Sequence, residues 1–111
     1  MNETLKRGDI YWVKLDPTIG TETQKTRPCI IISNDAQNKK SSRVIIAPVT
    51  SQTKIIYPFE ASVIVNNKQG KAMLDQIKTV DKQRLGSRIG TLDFRAMMAV
   101  DIALKIALAL A

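Results

Sequence analysis

Pro28 and the isoleucines after it, in the stretch E-T-Q-K-T-R-P-C-I-I-I-S from Glu22 to Ser33, constrain this chain more than any other feature. The proline ring fixes its own φ and pushes Arg27 out of the helical region toward extended backbone. Ile30-Ile31-Ile32 is a β-branched run without alternation, the pattern of a strand buried on both faces. A chain built around such a strand needs cover on both sides of a sheet. Arg27 is thereby held at the mouth of a rigid strand, at the end of a polar loop. From this stretch alone, a strand-end cap or a weak surface ion pair accounts for it.

The remaining β-type runs are short and punctuated. Asp9 to Leu15 reads as a first strand, with Ile10, Trp12 and Leu15 inward. Asp16 to Thr26 follows as a loop broken by Asp16-Pro17 and Gly20, and long loops on small domains tend to carry function. Ser33-Asn34-Asp35 closes the second strand with turn formers, and Asn38 to Ser42 is expected to be exposed. Arg43 to Val49 makes a third strand, in which Pro48 predicts an edge position or a bulge. Thr50-Ser51 places two hydroxyls just beyond it. Further strands are expected over Ala61–Val65, Lys71–Leu74, Gln76–Val80 and Arg88–Leu92. Asn66-Asn67 with Gly70 supply a turn, and Asp81–Leu85 a short helical one.

From Asp93 the pattern changes to an uninterrupted helix, capped by Asp93 or Thr91 and free of Gly and Pro as far as Leu110. It is apolar on most sides, and Asp101 and Lys105, spaced i,i+4, mark its wet face. Such a helix packs on the sheet with one side and is suited to a partner chain with another. Its charges at Asp93, Arg95, Asp101 and Lys105 argue against a membrane span. The fold class expected is mainly β (α+β), in one domain over residues 1–111, a length sufficient for a single core.

Charge and composition narrow the function. The chain carries 17 Lys and Arg against 10 Asp and Glu, a net +7, which favours an anionic partner and nucleic acid before a membrane surface. It has no histidine and one cysteine, Cys29, so a transition-metal site and a histidine-based acid–base mechanism are not expected. A single cysteine forms no intrachain disulfide and fits a reducing cytoplasm. Between Pro28 and the isoleucines it reads as a small core residue. Met1 to Lys6 lacks an apolar core, so no secretion signal is expected.

The motifs in order, R-G-D-I-Y-W-V, D-P-T-I-G-T-E-T-Q-K-T-R-P, S-N-D-A-Q-N, A-P-V-T-S, D-Q-I-K-T-V-D-K-Q-R-L and I-G-T-L before a helix, resemble the MazF/PemK toxins of bacterial toxin–antitoxin pairs. The resemblance spans Arg7 to about Leu110. It implies an SH3-like small β-barrel with a C-terminal helix, working as a homodimer. The activity implied is an endoribonuclease that cuts single-stranded RNA at a short sequence, without a metal or other cofactor. An acidic cognate antitoxin is the implied protein partner. The family's paired catalytic arginine and threonine fall on Arg27 and Thr50, its loop glutamate on Glu22, and Gln76 lies in the matching D-Q segment. More distant PemK-like members use an aspartate and a histidine, a version the absence of histidine disfavours. The related gyrase-poisoning toxins, which bind a topoisomerase, and a non-cleaving RNA-binding barrel are the rival readings.

The chemistry suits those residues. Metal-free RNA cleavage can use the 2′-hydroxyl as internal nucleophile, which demands in-line geometry, charge stabilisation and two proton transfers. A guanidinium at Arg27 binds phosphoryl oxygens bidentately and, though a poor base, can give a proton to the leaving oxygen late in the reaction. The Thr50 hydroxyl can orient the phosphate. Glu22 is the first candidate for general base and Asp75 the second. Lys25, Thr26, Ser51 and Gln52 flank the pair as RNA-binding candidates, and Tyr57 and Phe59 can either stack on bases or pack in the core.

Overall fold

The computed structural model describes residues 4–15 and 25–111. Seven strands, β1 (Asp9–Lys14), β2 (Thr26–Ile31), β3 (Arg43–Thr50), β4 (Glu60–Val65), β5 (Lys68–Met73), β6 (Lys78–Asp81) and β7 (Leu85–Thr91), form one antiparallel sheet. Two helices accompany them, α1 (Asp35–Lys40) and α2 (Phe94–Ala107). The strand order is β4-β5-β3-β2-β1-β7, and β6 pairs with the first half of β3. The sheet curls into a half-barrel with α2 packed on β4 at one end. The expected mainly β architecture with a C-terminal helix is what forms.

Burial on both faces of β2 follows from this curl. Ile30 and Ile32 join Ile10, Val49, Val63 and Leu74 in a cluster closed by Val100 and Ala103 of α2. Cys29 and Ile31 join Tyr11, Val13, Leu15, Val44, Ile46 and Val80 in a second cluster. Each large aliphatic group removed from water contributes about 1.5–3 kcal/mol, so the two clusters together supply the driving force for curling. Cys29 is fully buried, and burial pushes its thiol pKa up to about 12 against the opposing pull of Arg27 and Lys78. It is a core residue and a poor nucleophile.

Several expectations need correction. Trp12 does not face inward: it is 40% exposed, because Ile10 and the Tyr11–Val13–Leu15 row already fill the two clusters. Pro48 sits neither at an edge nor at a bulge against β2, where it lies in register with Cys29. The pairs with β6 end at Ile46 and those with β5 begin at Val49, so the proline falls in the gap between two neighbours and no ladder donor is missed there. The segment after the second strand is helix α1, and Asn38 within it is buried. Asn34 caps that helix by accepting from the Gln37 N–H at 2.8 Å, and the Asn38 amide donates to the Ser33 carbonyl at 2.9 Å. The Asn34-x-x-Gln37 spacing is a capping signature.

Other boundaries shift for local reasons. Asn66 and Asn67 both hold left-handed φ, 56° and 65°, which makes the β4–β5 hairpin turn without Gly70. Gly70 lies within β5, where an added Cβ would meet the Thr50 carbonyl oxygen at 2.9 Å. β6 begins at Lys78 because Leu74–Gln76 forms a 3-10 turn that drives Leu74 into the core. Helix α2 is capped by Asp93, whose side chain accepts from the Ala96 N–H. It stops at Ala107: Ala109 takes φ 57°, and the Leu110 N–H returns to the Lys105 carbonyl at 2.8 Å. Asp101 pairs with Arg7, Nη2 to Oδ1 2.8 Å, while the Arg7 Nε donates to the Ile32 carbonyl, so this contact ties α2 to the end of β2.

Candidate nucleic-acid interface

Arg27 lies one turn of pleat before buried Cys29 on β2, opposite Val13 of β1. β2 and β3 pair antiparallel with Cys29 opposite Pro48. Extending that register by one pleat sets Arg27 level with Thr50, on the same face of the sheet. Both are partly exposed, where the apolar rows run out into solvent. A rigid strand pair thus presents a guanidinium and a hydroxyl side by side, a geometry that loops alone hold less well.

Around them opens a groove of about 420 Å³ whose lining includes Arg27, Thr50, Lys25, Thr26 and Ser51. Five of the residues singled out in the sequence therefore converge on one surface. Lys25 takes a left-handed φ of 69°, and its carbonyl accepts from the Leu15 N–H at 3.0 Å, which pins the loop end to β1. The Thr50 Oγ1 accepts from the Gln52 N–H at 3.2 Å, so the start of the next loop is tied to the candidate catalytic hydroxyl. Gln52 is exposed beside the groove without lining it.

Two candidates, Gln76 and Asp75, stand apart from the groove. Gln76 belongs to the 3-10 turn, bonds the Met73 sulfur at 3.5 Å, and is not part of the groove wall. Asp75, on the same turn, is exposed. Glu22 lies outside the described residues. Tyr57 and Phe59 stack on each other, with ring centroids 5.4 Å apart and 10° between planes, and Tyr57 remains exposed.

The groove also includes residues that sequence reasoning passed over: Trp12, Lys68, Gln69 and Gly70. Trp12 was assigned to the core by alternation, yet an indole opposite Pro28 at a groove wall is a surface on which a base can stack. Lys68 adds a cation from the hairpin, and Gly70 lets β5 approach the backbone of Thr50. Lys78 is close enough to Cys29 for its charge, with that of Arg27, to act on the thiol. The wall is basic and amphipathic, chemistry suited to a single strand of nucleic acid. Among the described residues, no group of three or more His, Cys, Asp or Glu is placed to hold a metal ion.

The family profile described as PemK-like, MazF-like toxin of type II toxin–antitoxin systems matches residues 6–108. The chain belongs to the MazF/PemK toxin family. Endoribonuclease EndoA of Bacillus subtilis is 39% identical over 96% of this chain and 96% of its own length. Endoribonuclease MazF of Staphylococcus epidermidis is 38% identical over 96% and 92%. Among solved structures, MazF (Form-I) of Deinococcus radiodurans superposes with a TM-score of 0.86 at 23% identity, over 98% of this chain and all of that one, a likeness of fold. An endoribonuclease in complex with its cognate antitoxin, from a mycobacterial species, superposes at 0.81 with 26% identity over 96% and 97%. In this member of the family the ends of β2 and β3 line the groove, with Lys25 and the β4–β5 hairpin beside them.

Proposed function

We propose that this chain is the toxin of a toxin–antitoxin pair, a metal-independent, sequence-specific endoribonuclease that cleaves single-stranded RNA. The observation that carries the reading is the groove that gathers Arg27, Thr50, Lys25, Thr26 and Ser51 on a chain closely similar to named endoribonucleases. The 2′-oxygen attacks phosphorus, the bond from phosphorus to O5′ breaks, and the products carry a 2′,3′-cyclic phosphate and a 5′-hydroxyl. Arg27 clamps the non-bridging oxygens as charge builds and donates a proton toward O5′. Thr50 orients the phosphate. Glu22 removes the proton from the 2′-hydroxyl. Gln52 and Gln76 extend the RNA contact beyond the groove.

The active species is proposed to be a homodimer in the cytoplasm. Phe94, Met98, Ile102 and Ile106 of α2 are all exposed at i,i+4 spacing, a continuous apolar stripe. Among the described residues no helix is long and apolar enough to cross a membrane, so the stripe is better matched to a protein surface than to a bilayer span. An acidic antitoxin that folds over the basic groove is the proposed inhibitor, supported by the antitoxin-bound mycobacterial relative.

The test is to incubate the purified protein with mixed-sequence single-stranded RNA in EDTA and to sequence the cut ends. A short recurrent sequence at the cuts is expected. Cutting that needs a divalent cation, or random cutting, contradicts the proposal.

A further inference from the structure

Lys71 is a lysine in an unusual place. It lies in β5, opposite Thr50 of β3 and Ser62 of β4, and is only 8% exposed. Its Nζ donates to the Glu60 carboxylate at 2.8 Å and to the Ile55 carbonyl at 2.6 Å. The same Glu60 oxygen accepts from the Tyr57 N–H at 2.9 Å. The Nζ also stands 5.8 Å from the centre of the Tyr57 ring, which stacks on Phe59. A buried ion pair costs desolvation that a pair of apolar residues would avoid, so its use here calls for a role beyond stability.

The bonds define that role. Residues 51–59 connect β3 to β4 without regular structure beyond turns, and Ser51 at their start lines the groove. The loop is fixed at its start by the Gln52 N–H on Thr50, in its middle by Ile55 on Lys71, and at its end by Tyr57 on Glu60. The last two fixings both run through the Lys71–Glu60 pair.

We propose that Lys71, together with Glu60, is a positioning residue for RNA: it locks the 51–59 loop beside the groove so that bases flanking the scissile phosphate meet a preset surface. The inference rests on the endoribonuclease reading and deepens it by assigning sequence discrimination to this brace. Lys71 touches no reacting atom in this account. It acts through the loop, whose conformation in its absence is paid for by the RNA on binding.

The experiment compares wild type with Lys71→Met, and with the double variant Lys71→Met/Glu60→Leu, which leaves no unpaired buried charge. Hydrogen exchange of the Tyr57 and Glu60 amides is measured alongside kcat and KM on an RNA bearing the sequence that wild type cuts, and on its single-base variants. The expected result is faster exchange at those two amides with β1–β3 unchanged. Discrimination between cut and altered sequences should fall by about tenfold or more, carried in KM, with kcat nearly kept. Unchanged exchange at the loop, unchanged discrimination, or an equal fall of kcat on every RNA overturns the brace. Wild type that cuts no RNA removes the functional reading itself, and the exchange result then shows separately whether Lys71 fixes the loop.

Discussion

Arg27→Lys separates two accounts of the groove's guanidinium. If Arg27 only caps a strand, lysine keeps the charge and the change is small, since exposed pairs contribute about 0–1 kcal/mol. If it clamps the phosphorane, lysine loses the planar two-pronged geometry. The expected outcome is that Arg27→Lys and Arg27→Ala fold and still bind RNA, while single-turnover cleavage falls on the order of a hundredfold to a thousandfold. Thr50→Ala should follow them, and Thr50→Ser should retain much of the rate because the hydroxyl survives. Melting temperature and cleavage measured on the same samples decide it. Near-normal cleavage by Arg27→Lys would leave the residue structural. Strand-end placement alone pointed only to a cap and a turn hydroxyl at these two positions; it was the family resemblance that paired them, and the groove lining includes both. Trp12 was not legible in the sequence, since alternation cannot say where a curled sheet has already filled both of its faces.

Among the elements, β1, β2, β4 and α2 were readable from β-branched runs and caps, while α1 was not. Its six residues carry no apolar face long enough to show a helical period, and the signal lay in the Asn34 cap and the partners of Asn38. The 3-10 turn at Leu74–Gln76 was equally hidden, because a single apolar residue swung into a core looks like any strand residue. The end of α2 was placed late, there being no glycine to mark it; Ala109 supplies the left-handed turn instead. That choice carries a cost. An L-residue other than glycine in this region loses roughly 1–2 kcal/mol. Ala109→Gly is therefore expected to stabilise the protein by up to about 1 kcal/mol, read as a rise in the denaturant midpoint with an unchanged slope. A fall in the midpoint would show that the turn at Ala109 is not held in solution.

At the scale of the whole molecule, the apolar stripe of α2 and the basic groove pose separate demands. Burying Phe94, Met98, Ile102 and Ile106 would each contribute about 1.5–3 kcal/mol, enough in sum to drive association. The protein is expected to sediment as a dimer at micromolar concentration, and Ile102→Glu to shift it to monomer without unfolding. A wild-type monomer with intact activity would refute that assembly. The groove's demand is chemical: a chain without histidine must still move two protons and stabilise a pentavalent phosphorus. The products record how it does so. Cleavage of one defined RNA in EDTA, with both new ends identified by mass spectrometry, tests this directly. A 2′,3′-cyclic phosphate and a 5′-hydroxyl are predicted; a 3′-hydroxyl and a 5′-phosphate would contradict attack by the 2′-oxygen.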